Sequence, residues 1–204
     1  MLQLKPLPFQ ITHSVGPLVV AVIALFGFIF DADIADAVIY HRELIDAGEY
    51  WRLISGHFLH SNGNHFMLNI AAVALLWALH GHYYSYQNYL GIFVTCALVC
   101  SIAMFWFSQD IALYVGLSGV LHGFFVWGAL MDIRQHEKTG YLLFIGVILK
   151  IGHEQIYGAS ADVEALIGAS VATDAHLYGA IGGLLTFGIS YAWDKKNTRF
   201  KLNV

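Results

Sequence analysis

Charge is what this sequence has least of. Lys and Arg number 10 and Asp and Glu 14 among 204 residues, 12% together, where an average soluble domain carries roughly 25%. With 58% hydrophobic residues gathered into long runs, so little charge excludes an ordinary water-soluble domain. No nucleic-acid partner is expected. Cysteine is scarcer still: Cys96 and Cys100 are the two present, which excludes a disulfide framework. Four apart in an apolar run, they share a helix face and read as small packing residues. Repeats, low-complexity tracts and composition shifts are absent too, so nothing suggests a second domain. An all-α polytopic membrane protein remains.

A spanning helix needs roughly 20 mostly apolar residues. Six stretches qualify, at about 14–30, 65–80, 87–108, 118–132, 140–157 and 174–193, within one membrane domain over 1–204. The first follows Lys5 and Pro6 and resembles a signal peptide, with a weak small-x-small site at Ala35-Asp36-Ala37. An uncleaved first helix is the expectation, because its loss would leave five spans and separate the termini.

The basic residues set the orientation. With the N-terminus cytoplasmic, that side collects Lys5, Arg134, Lys138, Lys195, Lys196, Arg199 and Lys201. The other side receives Arg42 and Arg52 and most of the acids. Both termini are therefore expected on the cytoplasmic side. The long outer loop, about 31–64, carries Ile34, Val38, Ile39, Leu44 and Ile45, then Tyr50-Trp51-Arg52-Leu53-Ile54. It is expected to form short helices at the membrane interface, with Trp51 at headgroup level and Arg52 reaching phosphates.

Polar side chains inside a membrane are expensive and are functional candidates by default. Gly116-Leu117-Ser118-Gly119 sets a serine at the start of the fourth span. Free backbone N–H groups and the positive end of the helix dipole would lie beside its hydroxyl, an arrangement that caps a helix or stabilises an oxyanion. In the sixth span, His176 stands above Gly179 and Gly183, and Gly119 and Gly123 form a matching small-xxx-small face in the fourth. If those faces meet, Ser118 and His176 come within hydrogen-bond reach, as a serine–histidine pair requires.

His65 and Asn69 share a face of the second span and suit oxyanion donation. His57 and His60, just before them, are expected to order the loop by hydrogen bonding. No acid or cysteine stands near these histidines at ligand spacing, and His153-Glu154 has no second histidine four residues after the first. A His-Glu-x-x-His zinc site is unsupported, and no metal or cofactor is expected. Lys150 and Glu154, at i and i+4 in the fifth span, can pair. The pair is either structural or a polar contact for substrate, proton or ion.

Taken in order, Trp51-Arg52, His60 and His65 with Asn69, Gly116-x-Ser118-Gly119, and Ala175-His176-x-x-Gly179-x-x-x-Gly183 resemble the rhomboid family of intramembrane serine proteases. The resemblance spans nearly the whole chain and implies a six-helix core. It implies Ser118 as nucleophile, His176 as general base, and an oxyanion hole from the Ser118 N–H, His65 and Asn69. Rhomboids use a dyad, so Asp174, two residues before His176, is expected to cap the sixth helix.

Two positions depart from the common pattern. His122 replaces a tyrosine four residues after the serine and is expected to contact His176. Gly56 stands where some bacterial rhomboids have another histidine. His122, together with Lys150 and Glu154-Gln155, resembles the rhombosortase branch. That branch implies substrates held in the bilayer by a C-terminal transmembrane tail behind a Gly-Gly motif, cut near the outer face by hydrolysis or by acyl transfer to an amine. The competing expectations are a general rhomboid protease without tail specificity, a non-catalytic rhomboid fold that binds membrane helices, and a small carrier.

Overall fold

A computed structural model describes residues 6–202, with side chains through Trp193. Lys5 and the side chains of Lys195, Lys196, Arg199 and Lys201, all invoked for orientation, lie outside the described residues. The long helices are α1 (Ile11–Ile29), α5 (Gly63–His80), α6 (Tyr86–Phe107), α7 (Ser118–Arg134), α8 (Lys138–Tyr157) and α10 (Thr173–Leu202). Shorter ones are α2 (Asp31–Val38), α3 (Arg42–Asp46), α4 (Arg52–Ser55) and α9 (Ala161–Ile167). Each long helix covers one expected span, and α10 runs on past its apolar part.

Among the described residues, three helices are long and apolar enough to cross a membrane: α1, α5 with the turn after it, and α6. The count is four if α8 and α9, bent by 90° at their junction, form one span. Of the other three long helices, two are short or charged. Helix α7 has 17 residues and holds Asp132 and Arg134. Helix α8 carries Lys150 and Glu154.

Helix α7 is the centre of the bundle, with α5, α6, α8 and α10 all packed on it. Val120, Leu121, Phe124 and Trp127 join Phe66, Val73, Tyr89 and Phe93 in the main core. Outward faces stay apolar: Leu142, Ile145, Leu149 and Ile156 on α8 are exposed, as are Leu18, Val22 and Phe26 on α1. Surfaces of this kind would be a liability in water and are ordinary in lipid.

The α7–α10 contact depends on missing side chains. A Cβ on Gly179 would overlap the Gly119 carbonyl oxygen, and one on Gly183 the Gly123 carbonyl oxygen. The expected glycine faces therefore do meet, backbone to backbone. Cys96 and Cys100 are free and buried, and Cys96 lies against Gly123.

The outer loop is stitched to the segment before α7. Strand β1 (Tyr40–His41) pairs antiparallel with β2 (Leu113–Tyr114), Tyr40 opposite Tyr114. Arg52 corrects one expectation: it does not face lipid phosphates but is 3% exposed. Its guanidinium donates to Glu49 Oε2 at 2.6 Å and to the carbonyls of Ile39 and Asp36 at 2.9 Å each. Packing the loop leaves carbonyls that need a donor inside, and a fork of N–H groups meets three acceptors at once. Trp51 beside it is exposed.

Candidate active site

Ser118 is the first residue of α7, preceded by Gly116 at φ +118°. Only glycine adopts that backbone readily, and a side chain there would strike the His65 ring. The Gly116 N–H donates to the Gly56 carbonyl at 3.3 Å, and its carbonyl accepts from the Tyr114 hydroxyl at 2.8 Å. The turn that presents Ser118 is thus held by the outer loop and by β2. Gly56 has its own reason to lack a side chain, since a Cβ would press on the Tyr40 backbone.

The N-cap position of α7 is Leu117, which makes no side-chain cap, and Ser118 follows it as the first helical residue. Ser118 Oγ lies 3.0 Å from His176 Nε2. On the other side of that ring, Nδ1 lies 2.9 Å from Glu154 Oε2, and Lys150 Nζ lies 2.6 Å from Glu154 Oε1. His122 stacks on the His176 ring at 4.1 Å between centroids, and its Nδ1–H donates to the Ser118 carbonyl at 2.7 Å. His176 is 5% exposed. The structure therefore brings together Ser118, His122, Lys150, Glu154 and His176 from three helices, with Gly119, Gly179 and Gly183 permitting the approach. His153 is outside the group, packed on Tyr157.

Asn69 and Ser118 line one cavity of about 350 Å³, open between α5, α7 and α8 and otherwise largely apolar. Asn69 is 4% exposed, and its side-chain N–H group has no hydrogen-bond partner among the described residues. A buried donor without an acceptor is costly and calls for an explanation. His65 Nε2 faces Gly116, while its Nδ1 lies 3.0 Å from Ser61 Oγ. Both side chains thus flank the serine turn.

The two earlier histidines divide. His57 is buried under the serine turn, with Nε2 3.0 Å from Ser101 Oγ and Nδ1 3.4 Å from the Gly116 carbonyl. Burial holds its pKa down at about 4. His60 corrects the expectation of a hydrogen-bonded loop residue. Neither ring nitrogen has a partner among the described residues; the ring packs edge-on against His65 and Phe66. Burial, and His65 beside it, also hold its pKa down at about 4. Asp174 accepts from the Ser108 hydroxyl, a tie from the start of α10 to the end of α6.

One group of side chains has the composition of a metal site. Ligand atoms of His122, Glu154 and His176 lie within 4.8 Å of one another. The Lys150 ammonium on the same carboxylate and the bonded His122 Nδ1 fit a hydrogen-bonded chain better than a cation cage. Helical spacing alone pairs Glu154 with Lys150 and leaves His176 without an acid, so this arrangement is not visible in that spacing. A carboxylate within the fifth span was the available signal.

No curated protein matches the sequence. The family model for the Rhomboid domain matches residues 47–192, a stretch that includes the outer-loop Arg52, the α5 pair, the serine turn and His176. A serine held against a histidine among apolar helices is what that match leads one to expect, and the chain belongs to the rhomboid family of intramembrane serine proteases.

Proposed function

We propose that the chain is an active endopeptidase in which Ser118 is the nucleophile and His176 the general base, cutting membrane-anchored proteins near the outer face. The observation that carries this is the 3.0 Å contact between Ser118 Oγ and His176 Nε2. The Ser118 proton passes to Nε2 as Oγ attacks the scissile carbonyl, and the leaving amine takes that proton as the acyl-enzyme forms. The Ser118 N–H at the start of α7 receives the oxyanion, joined by Asn69, whose unpartnered donor supports this role, and by His65. Every position needed for chemistry is filled, which disfavours a non-catalytic rhomboid fold.

The substrate class follows from what can reach a recessed serine. A backbone must unwind to present its carbonyl, and small residues at the end of a transmembrane helix permit that. A Gly-Gly motif followed by one membrane helix and basic residues fits. His122 on His176, with Lys150 and Glu154 in the same chain of contacts, supports the rhombosortase branch. In this reading six helices span an inner membrane, both termini are cytoplasmic and the site opens outward.

The test is co-expression with an exported reporter carrying such a tail. Cleavage is expected with the native chain and none with Ser118→Ala. Cleavage by Ser118→Ala at the native rate overturns the protease reading. Undiminished cleavage after Gly-Gly is replaced by Leu-Leu removes the tail specificity. Mass spectrometry of the new C-terminus separates hydrolysis, a free carboxylate, from transfer, an added amine.

A further inference from the structure

Glu154 is hard to explain as half of an ion pair alone. A carboxylate in a membrane helix is expensive, and a surface i, i+4 pair returns little against that cost. Lys150, its partner, is about half exposed, while the Glu154 side chain is 12% exposed and turned toward α10. Its two oxygens are divided between two partners: Oε1 takes Lys150 Nζ at 2.6 Å and Oε2 takes His176 Nδ1 at 2.9 Å.

The hydrogen-bond inventory then decides the protonation of the ring. An ionised carboxylate only accepts, so the proton between Glu154 and His176 sits on Nδ1. In the neutral ring this leaves the Nε2 lone pair facing Ser118 Oγ, 3.0 Å away. That tautomer can take a proton from the serine; the other cannot. Around the ring, His122 stacks from α7, Glu154 and Lys150 approach from α8, and His65 lies across the serine turn on α5. Glu154 is the anion in direct contact with the ring.

We infer that Glu154 is a positioning residue that completes a Ser118–His176–Glu154 triad, fixing the His176 tautomer and balancing the imidazolium that forms during attack. The inference rests on Ser118 and His176 acting as proposed above, and it departs from a two-residue mechanism. In the step itself the Oγ–H bond breaks, Nε2 gains that proton, Oγ bonds to the carbonyl carbon, and the C=O π pair moves to the oxyanion. Glu154 stays ionised throughout and gains no proton. Lys150 holds the second oxygen at 2.6 Å, a contact that favours the carboxylate orientation facing Nδ1.

The test uses the full chain in phosphatidylethanolamine–phosphatidylglycerol vesicles and a fluorophosphonate probe. The maximal labelling rate and the half-saturating probe concentration are measured per folded molecule, with thermal melting alongside. Removing the acid from such a triad costs on the order of 10,000-fold where it has been measured. Glu154→Gln is expected to lower the maximal labelling rate at least about 100-fold, with half-saturation within about threefold. Glu154→Asp, which keeps the charge on a shorter stem, should recover part of the loss. A maximal rate within threefold of native for Glu154→Gln overturns the inference and leaves a dyad with a structural ion pair. If Glu154→Gln does not fold, Glu154→Asp decides: a fall in maximal rate alone supports the triad, and an unchanged rate per folded molecule overturns it. Native-level labelling of Ser118→Ala would instead refute the nucleophile, a result separate from either outcome at Glu154.

Discussion

The imidazole of His122 lies flat on that of His176, ring centroids 4.1 Å apart and planes 19° apart. Its Nδ1 is occupied by the Ser118 carbonyl one turn earlier, so it offers the base a face rather than a proton. The face limits how far His176 can tilt. His122→Phe keeps a flat ring and should label with fluorophosphonate within about fivefold of native. His122→Ala removes it and should lose roughly 10- to 100-fold, the scale of a misplacement near 1 Å.

Asn69 should separate stability from activity. Its buried N–H donor lacks a partner among the described residues, a cost that an apolar side chain of similar size removes. Asn69→Leu is expected to melt at or above the native temperature while the cleavage rate falls on the order of 100- to 1,000-fold. Melting curves and initial rates on the same preparation check both halves.

Gly179 should tolerate no side chain. A Cβ there meets the Gly119 carbonyl, so α10 must move away from α7 and carry His176 from Ser118. Gly179→Ala should lose at least roughly 100-fold in labelling even where the chain still folds. A substitution at Gly188, further along α10 with no atom near an added Cβ, should change little.

Acid should loosen the outer loop before it reaches the spans. His57 and His60 are buried with pKa values near 4, below the roughly 6.5 of an unfolded histidine. The unfolded chain therefore binds more protons between those values, and stability falls as the pH drops. It is fully present above about pH 6.5 and is lost toward pH 4. Between pH 7 and 5 the melting temperature should fall by roughly 5–15 °C. The double variant His57→Gln/His60→Leu should flatten that slope.

What the sequence made legible was local or repetitive. Helix positions followed apolar runs, and the glycines at spacing four on both α7 and α10 marked the faces that would meet. That meeting is what puts Ser118 beside His176. Glu154 was visible only as the partner of Lys150, because the spacing of i and i+4 is a property of one helix. Its contact with His176 depends on how α8 is rotated against α10, which no local pattern encodes. The burial of Arg52 is hidden for the same reason: its acceptors, Ile39 and Asp36, are backbone carbonyls of a folded loop. The β1–β2 pairing joins residues more than seventy positions apart through strands of two residues, too short to leave an alternating pattern. Among neighbouring histidines, nothing in the sequence distinguished His57, buried under the serine turn, from His60, which bonds to nothing described.

The spread of these side chains along the chain also sets a timetable. Ser118 is made 58 residues before His176, which at about 5–20 residues per second is a delay of roughly 3–12 s. Through that interval the nascent protein carries a hydroxyl with no base, and Glu154 arrives with nothing to orient. On the function proposed above, attack by Ser118 waits until the last helix brings His176 to it. In that reading the order of the helices along the chain itself delays assembly of the site.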